Sequence, residues 1–376
     1  MRYYIIAGER SGDLHAGNLA KSIKKFDETA HFKGFGGEYM KEAKVELTVH
    51  YSELAFMGFA EVLANLNKIS KLIKICKDDI LQYKPNVIVL VDYGGFNTRI
   101  AKWAKKNSLK VFFYITPKVW AWYQSRALTL KKNVDRMFVI LPFEKDFYKK
   151  FDWDVDYVGN PVLDAIKLHK PTASFLKENN FQEGKPIVAL LPGSRKQELQ
   201  NVLPVMAAVA KRFADFQFGV ANVGNLDRNL YQALDGLSNI RFIADDTYSL
   251  LLHANAAVVT SGTATLETAL LNVPQVVVYK TSTISYQIAK GFIKVPYISL
   301  VNLIANKKVV KELIQKEMNE DEIAKELKLL VLDRNYRQQM LDDYAAIYKT
   351  LDIGSASENA GKLMVNYLRE SSKQVL

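Results

Sequence analysis

Short apolar runs alternate with longer amphipathic stretches from the first residues onward. Tyr3–Ala7, Asn86–Asp92, Lys110–Ile115 and Arg136–Leu141 are brief and almost wholly apolar, and the segments between them space their apolar residues as helices do. Runs this short and this apolar suit strands buried on both faces, and their alternation with helices predicts βαβ units around a parallel sheet. The pattern restarts at Pro186–Leu191 and continues through Phe216–Ala221, Ile240–Ala244, Ala256–Thr260 and Gln275–Tyr279. Between the two series, the stretch from Gly159 to Pro186 is punctuated by Pro161 and Pro171, which predicts a linker with a short helix. From Asp321 the pattern is helical, broken around Asp352–Ser357 and resuming over Glu358–Arg369.

The expected fold is α/β, with two Rossmann-like, doubly wound domains over residues 1–165 and 166–350. A C-terminal helical segment, 351–376, is open to packing on either domain, including back on the first. Sheets of this kind bind ligands at the carboxyl ends of their strands, so a cleft is expected where those ends face one another. The length of 376 residues agrees, being large for a single core.

Composition changes this picture little: 49% hydrophobic and 24% charged residues describe an ordinary folded chain. The net charge of +11 implies an acidic counterpart, which could be nucleic acid, an anionic membrane or a phosphorylated substrate. A lone cysteine, Cys76, excludes an internal disulfide and a multi-cysteine zinc site. The five histidines, at 15, 31, 50, 169 and 253, lack metal-binding spacing. The first apolar run is too short for a signal peptide, and none approaches the roughly 18 residues of a membrane span.

Two strand-to-helix turns carry the sharpest chemical signal. Leu190–Arg195 contains Pro192, Gly193, Ser194 and Arg195; Thr260–Glu267 contains Ser261, Gly262, Thr263, Ala264, Thr265 and Glu267. Each follows an apolar run and opens an amphipathic stretch, so backbone N–H groups should point outward at an anion. The pair suggests a pocket for a sugar-nucleotide diphosphate. Arg195 adds a positive donor where a leaving diphosphate gathers charge, although a cation in a first helical turn opposes the dipole.

The turn after the first strand crowds Glu9, Ser11, Asp13 and His15 beside Gly8 and Gly12, as catalytic groups or as a capped helix start. Asp92 ends the run Val87–Val91, either as a general base at the strand mouth or as a turn residue. Trp120 and Trp122 could wall an acceptor site or fill the core. Met57–Cys76 carries apolar positions at helical spacing beside Lys68, Lys71 and Lys74, as a core helix or an interfacial one. Asp152, Asp154 and Asp156 alternate with apolar residues, which favours an edge strand over a metal site.

Taken in order, Gly8–Asp13, Lys118–Trp122, Leu141–Lys145, Leu191–Arg195, Ser261–Glu267 and Ser299–Asn302 resemble the lipid-A-disaccharide synthase family over nearly the whole chain. The resemblance implies a two-domain glycosyltransferase of the GT-B type. Its inverting reaction passes 2,3-diacylglucosamine from UDP to 2,3-diacylglucosamine 1-phosphate, without metal or other cofactor. It also implies Asp92 as base with Glu9 beside it, and Ser11, Asp13, His15, Trp120 and Trp122 toward the acceptor. Gly193, Ser194, Arg195 and Ser261–Thr265 then fall to the diphosphate, Glu267 to the ribose, and Asn302 and Gln315 to the donor sugar or phosphate. Acylated substrates imply peripheral contact with the cytoplasmic face of an anionic inner membrane through Val62, Leu66, Lys68, Ile69, Lys71, Leu72 and Lys74. Nucleic acid is not an expected partner, and pairing with a second copy is allowed for. Other readings are a peptidoglycan glycosyltransferase or a UDP-sugar 2-epimerase. Arg10, Gly94–Gly95, Asn160 and Val301 depart from the commonest family pattern, and none carries an assigned role.

Overall fold

The computed structural model describes residues 1–54, 66–222, 227–282, 286–287, 291 and 294–373, with Leu66 and residues 372–373 described by backbone alone. Contacts divide the chain into two units, Met1–Pro161 with Ile353–Leu376, and Val162–Asp352.

The first unit runs β1 (Arg2–Ala7), α1 (Arg10–Phe26), β2 (His31–Gly36), α2 (Glu38–Glu42), β3 (Glu46–His50), α3 (Leu66–Tyr83), β4 (Val87–Val91) and α4 (Gly94–Lys106). It continues with β5 (Val111–Tyr114), α5 (Arg126–Asn133), β6 (Arg136–Val139), α6 (Pro142–Lys149) and β7 (Asp156–Tyr157). Its strands form one parallel sheet in the order β3-β2-β1-β4-β5-β6-β7. The apolar runs are strands because both faces are covered: every residue of β4 and β5 is buried.

Helix α7 (Pro161–Leu168) opens the second unit and is followed by α8 (Phe175–Glu178), β8 (Ile187–Leu191), α9 (Lys196–Arg212), β9 (Gln217–Asn222), β10 (Ile240–Ala244) and α10 (Thr247–His253). Then come β11 (Ala256–Thr260), α11 (Thr263–Leu270), β12 (Gln275–Tyr279), α12 (Leu300–Ala305), β13 (Lys311–Ile314), α13 (Glu320–Leu332) and α14 (Arg334–Leu351). The second sheet, also parallel, has the order β10-β9-β8-β11-β12-β13.

The last helix, α15 (Ala356–Lys373), belongs to the first unit. Its Ala360, Met364, Val365 and Leu368 enter the same core as Ala16, Leu19 and Ile23 of α1. Gly361 permits the approach, since a Cβ there would lie 3.1 Å from the backbone nitrogen of Ile23.

Each sheet has one switch point, where the chain's winding reverses. In the first it falls between β1 and β4, with Ala7 opposite Val91. In the second it falls between β8 and β11, with Leu191 opposite Val259. The next residues along, Gly8 and Asp92 in one unit and Pro192 and Thr260 in the other, therefore emerge side by side at the carboxyl ends.

Candidate active site

Backbone strain marks the switch point of the first unit. Asp92 and Tyr93 are consecutive non-glycine residues in the left-handed region, at φ 48° and 49°. Such residues persist only where their surroundings hold them. The Tyr93 hydroxyl donates to the Leu54 carbonyl at 2.5 Å, and its ring covers Gly8 so closely that a Cβ there would lie 2.2 Å from it. Tyr93 N–H donates to Asp92 Oδ1 at 2.8 Å, whereas Oδ2 has no hydrogen bond among the described residues. Burial, reinforced by the negative charge of Glu9, pushes the Asp92 carboxyl up to about 6, against the Tyr93 N–H and the Lys118 cation. A carboxylate with a free oxygen and that proton affinity is suited to general base work near neutrality.

The structure brings Glu9 to Asp92 and gives its neighbours different parts. Ser11 is exposed and donates to Glu9 Oε1 at 2.9 Å. Asp13, expected near the acceptor, is only 1% exposed and accepts the N–H groups of Gly37, Tyr39 and Met40. It is the anchor of α2, because three backbone donors at the start of that short helix need an acceptor. His15 lies on α1, where burial pushes its imidazole down to about 4 and leaves it neutral. Trp120 is 5% exposed, packed edge-on against Phe143, and so fills core rather than walling a site; Trp122 is 49% exposed.

Buried Glu144, to which no role was given, ties the following loops together. It accepts from Thr116 Oγ1 at 2.9 Å and from the N–H groups of Ile140 and Leu141. Burial pushes its carboxyl up to about 7 against those bonds. Its place in the Leu141–Lys145 motif was the available signal.

In the second unit, Gly193 takes φ 102°, a conformation that favours glycine, and turns the chain into α9. The N–H groups expected to be free are engaged: Ser194 and Arg195 donate to Glu198 Oε2 at 3.2 and 3.3 Å. The Arg195 guanidinium also meets Glu198 at 3.3 Å, while its side chain stays 71% exposed. Spacing held this signal too, since a glutamate three residues after an N-cap is the far half of a capping box. In the companion turn, Ser261 donates its hydroxyl to the Ile298 carbonyl and Thr265 to the Gly262 carbonyl. Thr265 is fully buried, so its hydroxyl is no ligand donor; Gly262 and Ala264 are half-buried and Thr263 is exposed. Glu267 accepts from the Tyr248 hydroxyl at 3.0 Å, and burial raises its carboxyl despite that bond.

The contact expected of Asn302 is corrected by its surroundings. At 0% exposure, its amide donates to Val310 O and Glu312 Oε1 and accepts from the N–H groups of Val309 and Val310. Its full bonding capacity is spent on fastening α12 to β13. Gln315, at φ 56°, similarly spends its amide on both backbone groups of Thr281.

Of the expected membrane helix, Val62 lies outside the described residues, and only the backbone of Leu66 is described. Along α3, Lys68, Lys71 and Lys74 are exposed and Ile69 is half-buried. Leu72, expected at the membrane, is 4% exposed and buried in the unit's own interior with Cys76 and Ile80. Among the described residues, no helix is long and apolar enough to cross a membrane, and no cluster of three or more histidine, cysteine or acidic side chains is placed to hold a metal ion.

Two parallel sheets with polar turns gathered at their switch points give the two-domain GT-B architecture. A calicheamicin glycosyltransferase shares the fold at a TM-score of 0.62 and 15% identity, over 98% of both chains. A UDP-GlcNAc 2-epimerase from Neisseria meningitidis, solved with UDP-GlcNAc, also shares it, at 0.63 and 16%, over 98% of this chain and 100% of the other. At such identity these likenesses speak for fold alone. The chain belongs to the lipid-A-disaccharide synthetase family, whose model matches residues 3–363. A lipid-A-disaccharide synthase from Syntrophus aciditrophicus (strain SB) is 37% identical over 374 residues, 98% of each chain. The chain is accordingly a glycosyltransferase of lipid A biosynthesis.

Proposed function

We propose that the enzyme transfers 2,3-diacylglucosamine from UDP to the 6-hydroxyl of 2,3-diacylglucosamine 1-phosphate, with inversion at the anomeric carbon. The observation that carries this reading is the register at the two switch points, which brings out Gly8 beside Asp92 in one unit and Pro192 beside Thr260 in the other, so that the turns holding Glu9 and Gly193–Arg195 start next to those holding Asp92 and Ser261–Thr263. Asp92 Oδ2 takes the proton of the acceptor hydroxyl as that oxygen attacks the sugar. The bond to the diphosphate breaks, and UDP departs with the bonding electrons. A positioned base of this kind contributes roughly 10²–10⁴-fold. Arg195 and the N–H groups of the two turns stabilise the departing charge, the task a metal ion performs elsewhere, so no metal is required. Exposed Lys68, Lys71 and Lys74 support work at the anionic cytoplasmic face of the inner membrane, where acylated substrates reside.

Purified protein incubated with donor, acceptor and a chelator should release UDP only when both lipids are present. Release from donor alone would favour an epimerase-like or hydrolytic reaction. Loss of turnover with chelator, restored by a divalent cation, would overturn the metal-independent mechanism.

A further inference from the structure

The first turn of α4 holds a buried amide whose bonding pattern is not explained by packing. Asn97 is 0% exposed. Its Nδ2 donates to the carbonyls of Asp92 at 2.7 Å, Val91 at 3.2 Å and, more weakly, Ile6 at 3.4 Å. Its Oδ1 is buried without a partner among the described residues. Three carbonyls converging on one side chain demand a donor, so the amide orientation is fixed: an oxygen turned toward them would be repelled. A buried unpaired acceptor is costly, and a residue that keeps one needs a reason.

That reason lies in where the carbonyls sit. Val91 is the last residue of β4, and beyond it the chain turns left-handed. The Asp92 N–H still reaches β5 by donating to the Tyr114 carbonyl at 3.2 Å, while the Asp92 carbonyl is held by Asn97. The Asp92 backbone is therefore held at both its N–H and its carbonyl, and its side chain is aimed with one oxygen on the Tyr93 N–H and the other unbonded among the described residues.

We propose that Asn97 is a positioning residue for the transfer reaction, holding the left-handed Asp92–Tyr93 turn so that Asp92 Oδ2 faces the acceptor hydroxyl. The proposal rests on the reading of Asp92 as base. The charged groups facing Asp92 are Glu9, after β1, and Lys118, after β5. If the clamp is released, the carboxyl swings toward water, away from Glu9, and its proton affinity falls toward that of an ordinary carboxylate.

The test is the pH dependence of turnover in Asn97→Ala, Asn97→Ser and Asp92→Asn, each with its folded fraction measured. Asn97→Ala should lower kcat per folded molecule by about 10- to 100-fold with KM within about threefold, as misplacement of a reacting group does. The acid limb of kcat/KM should move down from near pH 6. Asn97→Ser retains one donor and should fall between Asn97→Ala and the parent; it carries the test should Asn97→Ala not fold. A purely structural asparagine would lower the melting temperature while leaving the limb and kcat per folded molecule in place, and that result overturns the proposal. Turnover retained by Asp92→Asn would overturn the base reading, and with it the positioning role built on it.

Discussion

Asp92 is held in two unfavourable conditions at once, a left-handed backbone and a carboxyl pushed up to about 6 by burial and by Glu9. In the unfolded chain the same carboxyl titrates near about 3.9. Between those values the folded protein holds a proton that the unfolded protein has lost, so stability falls as pH rises through the window and the whole penalty stands above pH 6. A neutral side chain removes it. Asp92→Asn should therefore be the more stable protein at pH 8, by on the order of 1–3 kcal/mol after allowing for the partial exposure of Asp92, with the advantage gone below about pH 4. Denaturant titrations of both proteins at several pH values check this. A variant less stable than the parent at pH 8 would mean that the ionised carboxylate supports the fold. The same substitution should suppress turnover, so the residue trades stability for chemistry.

At the scale of elements, the strands legible in the sequence were mostly those buried on both faces, where composition is uniform; the edge strand β10, only partly buried, was legible as well. The missed ones have other reasons to exist. Strand β2 carries Gly34, where a Cβ would lie 1.8 Å from the Ile5 carbonyl; the glycine lets two strands approach but reads as a turn. Strand β13 is short and polar, fastened through Asn302 and Glu312 rather than by an apolar run. Both glycine turns were visible, and the spacing of Glu198 marks a capping box, but spacing does not show that its charge already occupies the groups assigned to the ligand. Glu198 holds the same N–H groups and guanidinium assigned to the diphosphate, so ligand and side chain compete. Glu198→Gln keeps the size and a weak acceptor while removing the charge. It should tighten UDP binding by about three- to tenfold, because the competent arrangement is populated more of the time. Calorimetric titration with UDP decides: unchanged or weaker affinity would show that the carboxylate organises the turn instead of competing for it.

Across the whole molecule, the net charge of +11 is the property least explained by catalysis. Part of it lies on α3, whose apolar row faces inward through Leu72, Cys76 and Ile80 while Lys68, Lys71 and Lys74 face water. Burial of that row removes Leu72 from the proposed membrane contact, so the proposal rests for α3 on its charge, and electrostatic attachment differs from insertion in its response to salt. A lysine near an anionic bilayer contributes about 1 kcal/mol and loses it beyond a screening length. Replacing all three lysines by glutamine should therefore weaken binding to vesicles containing anionic lipid by about 100-fold at low salt, and by much less at 0.5 M salt. Binding to neutral vesicles should be unaffected, and turnover of short-chain, water-soluble substrates should match that of the parent, because no lysine of the three is assigned to the reaction. Sedimentation with vesicles across a salt series makes the measurement. Equal losses on neutral and anionic vesicles would mean that α3 contributes to apolar insertion, and no loss on either would overturn the proposed membrane contact through α3.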